Sequence, residues 1–323
     1  YPHMTGIGGD GFWLVHEPGG RLHGIEACGP AGALATIERY RDKGYDAIPA
    51  RGPEAALSVA GAVGGWQLAL DLSRSLGGRM PLRELLADAI SYCREGYAVS
   101  DSELRNKPNE LEALTAAPGF VPAFWNDGAA PKPGARRRPE ALGAALEHLD
   151  HAGLDDFYRG DVGREIAADL ERIGAPVTRT DLVRYHARSV VPLTLKLPGL
   201  TVANLPPPTQ GLASLMILGI FERLGASRLD SFEHHHGLIE ATKRAFAIRD
   251  RYVTDPADLD HPPVDFLSET VLAKEAAAID MKRAAKLPLR PGNGDTIWMG
   301  AIDGSGLAVS YIQSIYWEYG SGC

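Results

Sequence analysis

The sequence has few cysteines, no long apolar run and no excess of basic residues, and each absence excludes a class of protein. Its three cysteines are widely spaced and form no CxxC motif, so we expect neither a disulfide framework nor a zinc knuckle. No window holds the roughly 18 consecutive apolar residues that a membrane-spanning helix requires. The formal net charge of -8 argues against a general nucleic-acid-binding surface. We therefore predict that neither a membrane nor a nucleic acid is a partner.

The chain is nevertheless long enough, at 323 residues, for one large or two ordinary domains, and 45% of the residues are hydrophobic. Apolar residues recur at helical spacing through the middle of the chain, as in PLRELLADAISYCREG and GLASLMILGIFERLG. Alternating apolar residues, which are typical of strands, cluster near the two ends, as in TIWMGAID and LAVSYIQS around a GSG turn. This layout predicts an α+β fold.

The first residues, YPHMTGIGGDG, resemble the interior of a domain, and we expect the natural protein to begin earlier. The lack of a signal peptide therefore says little about the cellular compartment. We predict a cytoplasmic location.

A single threonine, Thr296, stands between a glycine-rich loop and the first strand of the predicted hairpin. A threonine hydroxyl is a poor nucleophile unless a base removes its proton, and a threonine at a chain N-terminus carries that base in its own α-amine. The reference pKa of such an amine is about 7.7–8, which suits a general base near neutral pH. Cleavage of the Asp295–Thr296 bond creates this terminus, and Gly292 and Gly294 permit the strain involved. The alternative is that Thr296 only favours the strand that follows it.

Three further motifs could indicate binding sites, and each has a simpler interpretation. The loop TGIGGDG lacks the lysine of a phosphate-binding P-loop, so we expect it to provide close backbone packing near the active site. The consecutive histidines 234–236 point in different directions if they lie on a helix, and such residues rarely share a metal. The aspartates between positions 255 and 265 lack the spacing of an EF-hand. We predict neither a metal nor a cofactor.

Four blocks of the sequence resemble the γ-glutamyltranspeptidase family. The first, PHMTGIGGDGFWLV, resembles the family's Ser/Thr-Gly-Ile-Gly-Gly-x-Gly-Phe block. PPPTQG is similar to its proline-rich loop, and EATKRAFAIRDRYVTDP is similar to its long helix before an Asp-Pro loop. GDTIWMGAIDGSGLAVSYIQSIYWEYGSG is similar to its processing site and the first hairpin of its small subunit. The blocks occur in family order along nearly the whole chain, so together they are far more specific than any one motif.

The resemblance implies an N-terminal-nucleophile hydrolase fold, which is a four-layer αββα sandwich with a helical large-subunit region. It also implies self-cleavage at the Asp295–Thr296 processing site. Residues 1–295 are then the large-subunit part, and residues 296–323 are the start of a small subunit that we expect to be incomplete. The implied partners are a small-molecule amide substrate and the chain's own second subunit, with pairing into a homodimer of such heterodimers.

The same resemblance assigns roles to individual residues. Thr296 is the implied nucleophile, and Ser314 takes the place of a family threonine whose hydroxyl bonds to that nucleophile. Tyr316 takes the place of a family asparagine that contacts the α-amino-acid end of the substrate. Gln313 and the position of Ile37 complete the predicted substrate-binding set. The paired glycines of the family's oxyanion hole are expected after residue 323, so these residues alone should lack full activity.

Two departures from the family pattern bear on the substrate. Ile37, in the segment LATIERY, stands where the glutamyl enzymes have an arginine that grips the substrate carboxylate, and an isoleucine cannot make that bidentate contact. Arg39 or Arg41 could take over this role. Ile297 stands where a second threonine usually follows the nucleophile. Together with Tyr316, these changes resemble a bacterial branch of acylases and small-amide hydrolases, oxamate amidohydrolase among them.

Three functions remain open at this point, in order of preference. The first is an autoprocessing amidohydrolase that cleaves a small amide, such as oxamate to oxalate and ammonia, in a pocket narrowed by Tyr316 and Trp317. The second is a γ-glutamyl transferase or hydrolase that acts on glutathione-like substrates. The third is an unprocessed, inactive homologue with a binding or structural role. The covalent state of the Asp295–Thr296 bond separates the third function from the other two.

Overall fold

The computed structural model describes residues 2–105, 111–125, 128–226, 228–286 and 296–323. Within these ranges the strands are β1 (Asp10–His16), β2 (Leu22–Ala27), β3 (Tyr97–Ala98), β4 (Arg136–Arg137), β5 (Arg188–Val190), β6 (Leu193–Leu197), β7 (Leu200–Asn204), β8 (Ile297–Ile302) and β9 (Ala308–Ser314). The α-helices there are α1 (Ile37–Asp42), α2 (Ala62–Ser75), α3 (Leu82–Glu95), α4 (Asp101–Arg105), α5 (Leu111–Ala116), α6 (Phe120–Phe124), α7 (Glu140–Ala152), α8 (Asp156–Arg159), α9 (Asp161–Arg172), α10 (Arg179–Arg184), α11 (Gly211–Glu222), α12 (Phe232–Tyr252) and α13 (Glu269–Ala277). Short 3₁₀ helices lie at Pro53–Ala55, Pro256–Asp258 and Pro263–Leu267.

A five-stranded antiparallel sheet brings the two ends of the chain together. Its strand order is β5-β2-β1-β9-β8, so β1 pairs with β9 from the other end of the sequence. Trp13 and Tyr311 lie opposite each other in this central pair, and their rings stack with 4.1 Å between centroids. The pairs β3–β4 and β6–β7 form two small separate sheets. An antiparallel sheet built mainly from the two ends of the chain, with most helices between them, confirms the predicted α+β fold.

Helix α2 packs on one face of the five-stranded sheet, mainly over β1 and β2. Alternate residues of β1 and β2, namely Trp13, Val15, Ile25 and Ala27, are buried in the apolar cluster that α2 completes. Gly65 allows the close approach of the helix, because a Cβ at this position would overlap the Trp13 ring. The burial of this stripe fixes which residues of each strand face the helix.

The opposite face of the sheet is open at β8 and β9. Successive side chains of a strand point to opposite faces, and the register places Trp298, Ile302 and Ile312 on the face away from α2. Trp298 is 64% exposed and Ile302 is 77% exposed. By the same alternation Thr296 and Ser314 lie on this face, so the predicted nucleophile belongs to the open side of the sheet.

Two further apolar clusters each hold several of the described helices. One joins α11, α12 and α13 to the β6–β7 hairpin and buries Leu212, Met216, Ile220 and Leu272. Helix α11 is buried on most sides, as its nearly continuous apolar sequence predicts. The other cluster packs α7 to α10 around Phe157. None of the described helices has the length and apolar character needed to cross a bilayer.

Candidate active site

The structure confirms the predicted hairpin at the end of the chain and shows two hydroxyl groups side by side at its open end. Strands β8 and β9 pair with Ile297 opposite Gln313, which brings Thr296 next to Ser314. The Thr296 Oγ1 atom lies 3.2 Å from the Ser314 Oγ atom, within hydrogen-bond distance. The first half of the predicted processing site, Asp295, lies outside the described residues.

Ser314 is fixed by the residues that follow it. Its Oγ atom accepts a hydrogen bond from the backbone N–H of Tyr316 at 3.0 Å. A hydroxyl has one proton to donate and two lone pairs to accept with. With one lone pair taken by Tyr316, Ser314 can still accept from Thr296 or donate to it. The two hydroxyls can therefore exchange these roles as charge develops on the Thr296 oxygen.

The glycine-rich loop at positions 5–11 packs directly against Ser314. A Cβ at Gly9 would overlap the carbonyl oxygen of Ser314, so only glycine permits this approach. The Gly9 carbonyl in turn accepts hydrogen bonds from the N–H groups of Gly61 and Ala62, both at 2.9 Å, where α2 begins. The loop thus provides the close backbone packing that the sequence predicts.

Asp10 is a candidate site residue that the sequence did not predict. It begins β1 opposite Ser314, and its Oδ1 atom accepts the N–H groups of Gly29 at 3.2 Å and Gly61 at 3.3 Å. Burial raises the pKa of this carboxyl group to about 6, although the two N–H bonds act in the opposite direction. The available signal was an acidic side chain in the middle of a glycine run.

Gln313, which the sequence predicts to bind substrate, has its side chain on the face of the sheet that α2 covers. Its Oε1 atom accepts hydrogen bonds from Trp66 Nε1 at 3.0 Å and from the Tyr311 hydroxyl, and its Nε2 atom donates to Thr5 Oγ1 at 3.0 Å. The structure therefore places this amide on the side away from Thr296, where it ties the glycine-rich loop to β9.

Ile37 is the first residue of α1 and is 64% exposed. Arg39, one of the two arginines that could take over carboxylate binding, is engaged elsewhere, because its guanidinium donates two hydrogen bonds of 2.9 Å to the Glu54 carboxylate. These bonds lower the pKa of Glu54. Arg39 therefore has to break this ion pair before it can hold a substrate carboxylate near Ile37.

Tyr316 projects from the loop that follows β9. Its ring is 75% exposed and stacks on Trp317 with the two ring planes 14° apart. Because the N–H of Tyr316 bonds to Ser314 Oγ, the tyrosine belongs to the same cluster as Thr296. The backbone of this aromatic pair thus adjoins the two hydroxyls, and the narrowing of a pocket by the two rings stays a prediction.

The described residues offer weaker evidence for a cysteine nucleophile or a metal site than for Thr296. Burial, with a contribution from Glu26 and Asp10, raises the pKa of the Cys28 thiol to about 12, so this cysteine carries no thiolate at neutral pH. No cluster of three or more histidine, cysteine, aspartate or glutamate side chains in the described ranges could hold a metal ion. Thr296 therefore stands as the candidate nucleophile of this part of the chain.

The whole chain, residues 1–323, matches the family model described as gamma-glutamyltranspeptidase. The chain belongs to this family. The family resemblance predicted from four sequence blocks is thereby confirmed, and it extends over every region that the blocks left unmatched.

Relatives within the gamma-glutamyltranspeptidase family carry different named activities. The chain is 48% identical to the oxamate amidohydrolase proenzyme of Klebsiella pneumoniae, over 100% of this chain and 61% of the relative. It is 35% identical to the glutathione hydrolase-like YwrD proenzyme of Bacillus subtilis, over 99% of this chain and 60% of the relative. The chain thus spans about three fifths of the length of these curated relatives, and both are named as proenzymes.

Solved structures of the family share the fold. The cephalosporin acylase from Bacillus halodurans superposes with a TM-score of 0.84 at 30% identity, over 99% of this chain and 59% of that chain. The gamma-glutamyltranspeptidase from Pseudomonas nitroreducens gives a TM-score of 0.74 at 27% identity, over 87% of this chain and 83% of that chain. Both are N-terminal-nucleophile hydrolases with an αββα sandwich, which confirms the predicted fold. The five-stranded sheet with α2 on one face has the arrangement of one half of such a sandwich.

Proposed function

We propose that the full protein is a self-processing amidohydrolase with Thr296 as its nucleophile and a small amide, such as oxamate, as its substrate. The observation that carries the proposal is the 3.2 Å approach of the Thr296 and Ser314 hydroxyls at the start of β8. The family match over residues 1–323 supports it. So does the 48% identity to a relative named as an oxamate amidohydrolase proenzyme.

Self-cleavage uses the same hydroxyl. The Thr296 oxygen attacks the carbonyl carbon of Asp295, the peptide C–N bond breaks, and the acyl group moves from nitrogen to oxygen as an ester. Water then hydrolyses the ester, which leaves a carboxylate on Asp295 and a free α-amine on Thr296. Residues 1–295 and 296–323 thereby come to lie in separate subunits, and each subunit is the partner of the other.

In the processed protein the α-amine of Thr296 serves as the base. It takes the proton of Oγ1 as this oxygen attacks the amide carbonyl, while the Ser314 hydroxyl holds the direction of the Thr296 side chain. Collapse of the tetrahedral intermediate breaks the C–N bond, and ammonia leaves with the proton held by the amine. Water, deprotonated by the same amine, attacks the acyl ester on Thr296 and releases the acid.

The surroundings of the two hydroxyls favour a small amide over a γ-glutamyl peptide. Ile37 replaces the arginine that holds the glutamyl carboxylate, and Arg39 is paired with Glu54. The exposed ring of Tyr316 takes space that the smaller asparagine leaves free. A γ-glutamyl hydrolase is the second candidate, because a relative that is 35% identical is named glutathione hydrolase-like.

We also propose that the protein acts in the cytoplasm and assembles as a homodimer of processed heterodimers. Cys28, Cys93 and Cys323 are free thiols, which suits a reducing compartment. The dimer rests on the family resemblance. Cell fractionation tests the location, and light scattering on the processed protein tests the assembly.

Mass spectrometry and kinetics of the purified full-length protein test the proposed function. The wild type should appear as two fragments that separate between Asp295 and Thr296, and Thr296→Ala should appear as a single mass. The wild type should release ammonia from oxamate faster than it releases p-nitroaniline from γ-glutamyl-p-nitroanilide. An uncleaved wild type that is still active contradicts the proposed mechanism, and turnover of the glutamyl compound alone contradicts the proposed substrate.

A further inference from the structure

The loop after β9, residues 315–322, contains two tyrosines with a left-handed backbone conformation, and we call it the tyrosine loop. Tyr316 has a φ of 74° and Tyr319 a φ of 64°, both in the left-handed region that residues other than glycine seldom adopt. Such residues persist only where surrounding contacts over-determine them, and they concentrate at functional sites. The tyrosine loop must therefore be held by contacts from elsewhere in the chain.

Arg51 holds the centre of the tyrosine loop. Its Nη1 atom donates to the carbonyl oxygens of Glu318 and Gly320, both at 2.6 Å, and its Nη2 atom donates to the Glu318 carboxylate at 3.2 Å. These two carbonyls flank Tyr319, so one guanidinium fixes the chain on both sides of a left-handed residue. The guanidinium carbon also lies 5.3 Å from the centroid of the Trp317 ring.

The segment that carries Arg51 is itself anchored. The next residue, Gly52, donates its N–H to the carbonyl oxygen of Ser321 at 2.7 Å, which adds a second bond to the tyrosine loop. The 3₁₀ helix Pro53–Ala55 follows directly, and its Glu54 carboxylate pairs with an arginine of α1. Arg51 therefore projects from a fixed segment toward the tyrosine loop.

The tyrosine loop reaches the proposed nucleophile through two successive hydrogen bonds. The N–H of Tyr316 donates to Ser314 Oγ at 3.0 Å, and Ser314 Oγ lies 3.2 Å from Thr296 Oγ1. The left-handed φ of Tyr316 sets the orientation of its N–H relative to the rest of the loop that Arg51 holds, so a loosened loop no longer orients the Ser314 hydroxyl. A misplacement of about 1 Å at a reacting group can lower a rate about 100-fold.

Arg51 is not placed to bind substrate directly. Its side chain is 1% exposed, and both terminal nitrogens are engaged with the tyrosine loop. Burial of a guanidinium costs desolvation free energy, which bonds to two carbonyls and one carboxylate offset. A lysine carries a single ammonium without the planar fork, and it cannot reproduce this set of bonds. The geometry thus suits a role in fixing backbone position.

We propose that Arg51 is a positioning residue for the Thr296–Ser314 pair and that it acts through the tyrosine loop. The proposal rests on the function proposed above, because it concerns the same site. It assigns to a residue in the first sixth of the chain a part in setting kcat at a nucleophile near its end.

Kinetics and amide hydrogen exchange on the full-length protein test this role. We expect Arg51→Met to lower kcat on oxamate about 100-fold and to change KM by less than about threefold, because the residue touches the loop and not the substrate. Arg51→Lys keeps the charge and part of the bonding, so it should lower kcat about 10-fold. Exchange in peptides that cover residues 315–322 should accelerate in the same order. The matched control is Arg94→Met, which removes an exposed ion pair with Glu147 and should leave kcat unchanged.

The outcomes separate this inference from the proposed function. Wild-type kcat in an active, folded Arg51 variant overturns the inference alone, and so does faster loop exchange without a loss of kcat. A rise in KM at unchanged kcat also overturns it, because it indicates a substrate contact. A wild type that hydrolyses no amide overturns the proposed function itself. If Arg51→Met does not fold, the Arg51→Lys variant decides the question by the same measurements.

Discussion

Gln313 and Ser314 are neighbours on β9, yet they face opposite sides of the sheet, which differ in burial and in hydrogen bonding. Gln313 faces α2, where it is buried and hydrogen-bonded through both ends of its amide. Ser314 faces the open side, where its hydroxyl lies beside that of Thr296. On the covered side the amide of Gln313 has hydrogen-bond partners at both ends. On the open side the hydroxyls of Thr296 and Ser314 can exchange donor and acceptor roles. Substitutions on the open side should therefore change chemistry, and those on the covered side should change stability.

The largest expected effect is that of Thr296→Ala on the open side. Without the hydroxyl there is neither self-cleavage nor an acyl ester, so we expect a single uncleaved chain and a loss of at least about 10⁴-fold in kcat. Mass spectrometry and an ammonia-release assay on the full-length protein measure the two effects. Residual turnover within 100-fold of wild type would mean that another group is the nucleophile.

A matched threonine provides the control for this experiment. Thr242 lies on α12, and its hydroxyl bonds to the carbonyl oxygen of Leu238 within the same helix. We expect Thr242→Ala to be cleaved and active like the wild type, because its loss affects only a local bond on a helix surface. If this variant were also inactive, the effect of Thr296→Ala could not be ascribed to the nucleophile.

Ser314→Ala tests whether the second hydroxyl of the open side orients the first. We expect kcat to fall about 100-fold, because the Thr296 side chain loses the hydroxyl that lies 3.2 Å from its own, and we expect the free energy of unfolding to change by less than about 1 kcal/mol. Ser314→Thr restores a hydroxyl at the same atom and should recover most of the rate. A wild-type rate for Ser314→Ala would remove the Ser314 hydroxyl from the mechanism.

Gln313→Leu tests the covered side. The leucine leaves the Tyr311 hydroxyl and the Thr5 side chain without the Gln313 amide, so we expect the free energy of unfolding to fall by about 2–3 kcal/mol. Chemical denaturation in the uncleaved Thr296→Ala background measures this on one intact chain. Gln67→Leu is the control, because its amide bonds to the exposed Asp71, and it should change stability by less than about 0.5 kcal/mol. A large loss of kcat for Gln313→Leu in the otherwise wild-type protein, with unchanged stability in the Thr296→Ala background, would instead give Gln313 a role in the reaction.

The hairpin is predictable because it depends on local pattern, whereas the proximity of Thr296 to Ser314 is predicted only by the family resemblance. Alternating apolar residues on either side of a glycine turn determine the pairing of β8 with β9. The face of Gln313 is not predictable in this way, since a shift of one residue reverses the face and only the packing of α2 shows which face is covered. Arg51 and Asp10 were missed because their partners lie far away in sequence, and such contacts leave no local pattern.

The smallest expected effect is a pH dependence that distinguishes Asp10 from the exposed Asp303 in the turn of the hairpin. Burial raises the pKa of Asp10 from its usual 3.8 to about 6, so its ionisation opposes folding. The protonated Asp10 side chain therefore contributes fully to stability below about pH 4, and this contribution is lost as the pH rises through about 6. Asn cannot ionise and still accepts the two N–H bonds. Asp10→Asn should therefore gain about 2 kcal/mol in unfolding free energy relative to its parent between pH 4 and pH 7.

Asp303 supplies the control of opposite sign, because hydrogen bonds from Ser305 lower its pKa. Its ionised form favours folding, and this contribution is lost as the pH falls below about 4. Asp303→Asn should therefore lose stability relative to its parent as the pH rises, whereas Asp10→Asn should gain. Urea unfolding of both variants in the Thr296→Ala background, from pH 3 to pH 7, measures the two slopes. Slopes of the same sign would contradict the opposite pKa shifts of the buried Asp10 and the exposed Asp303.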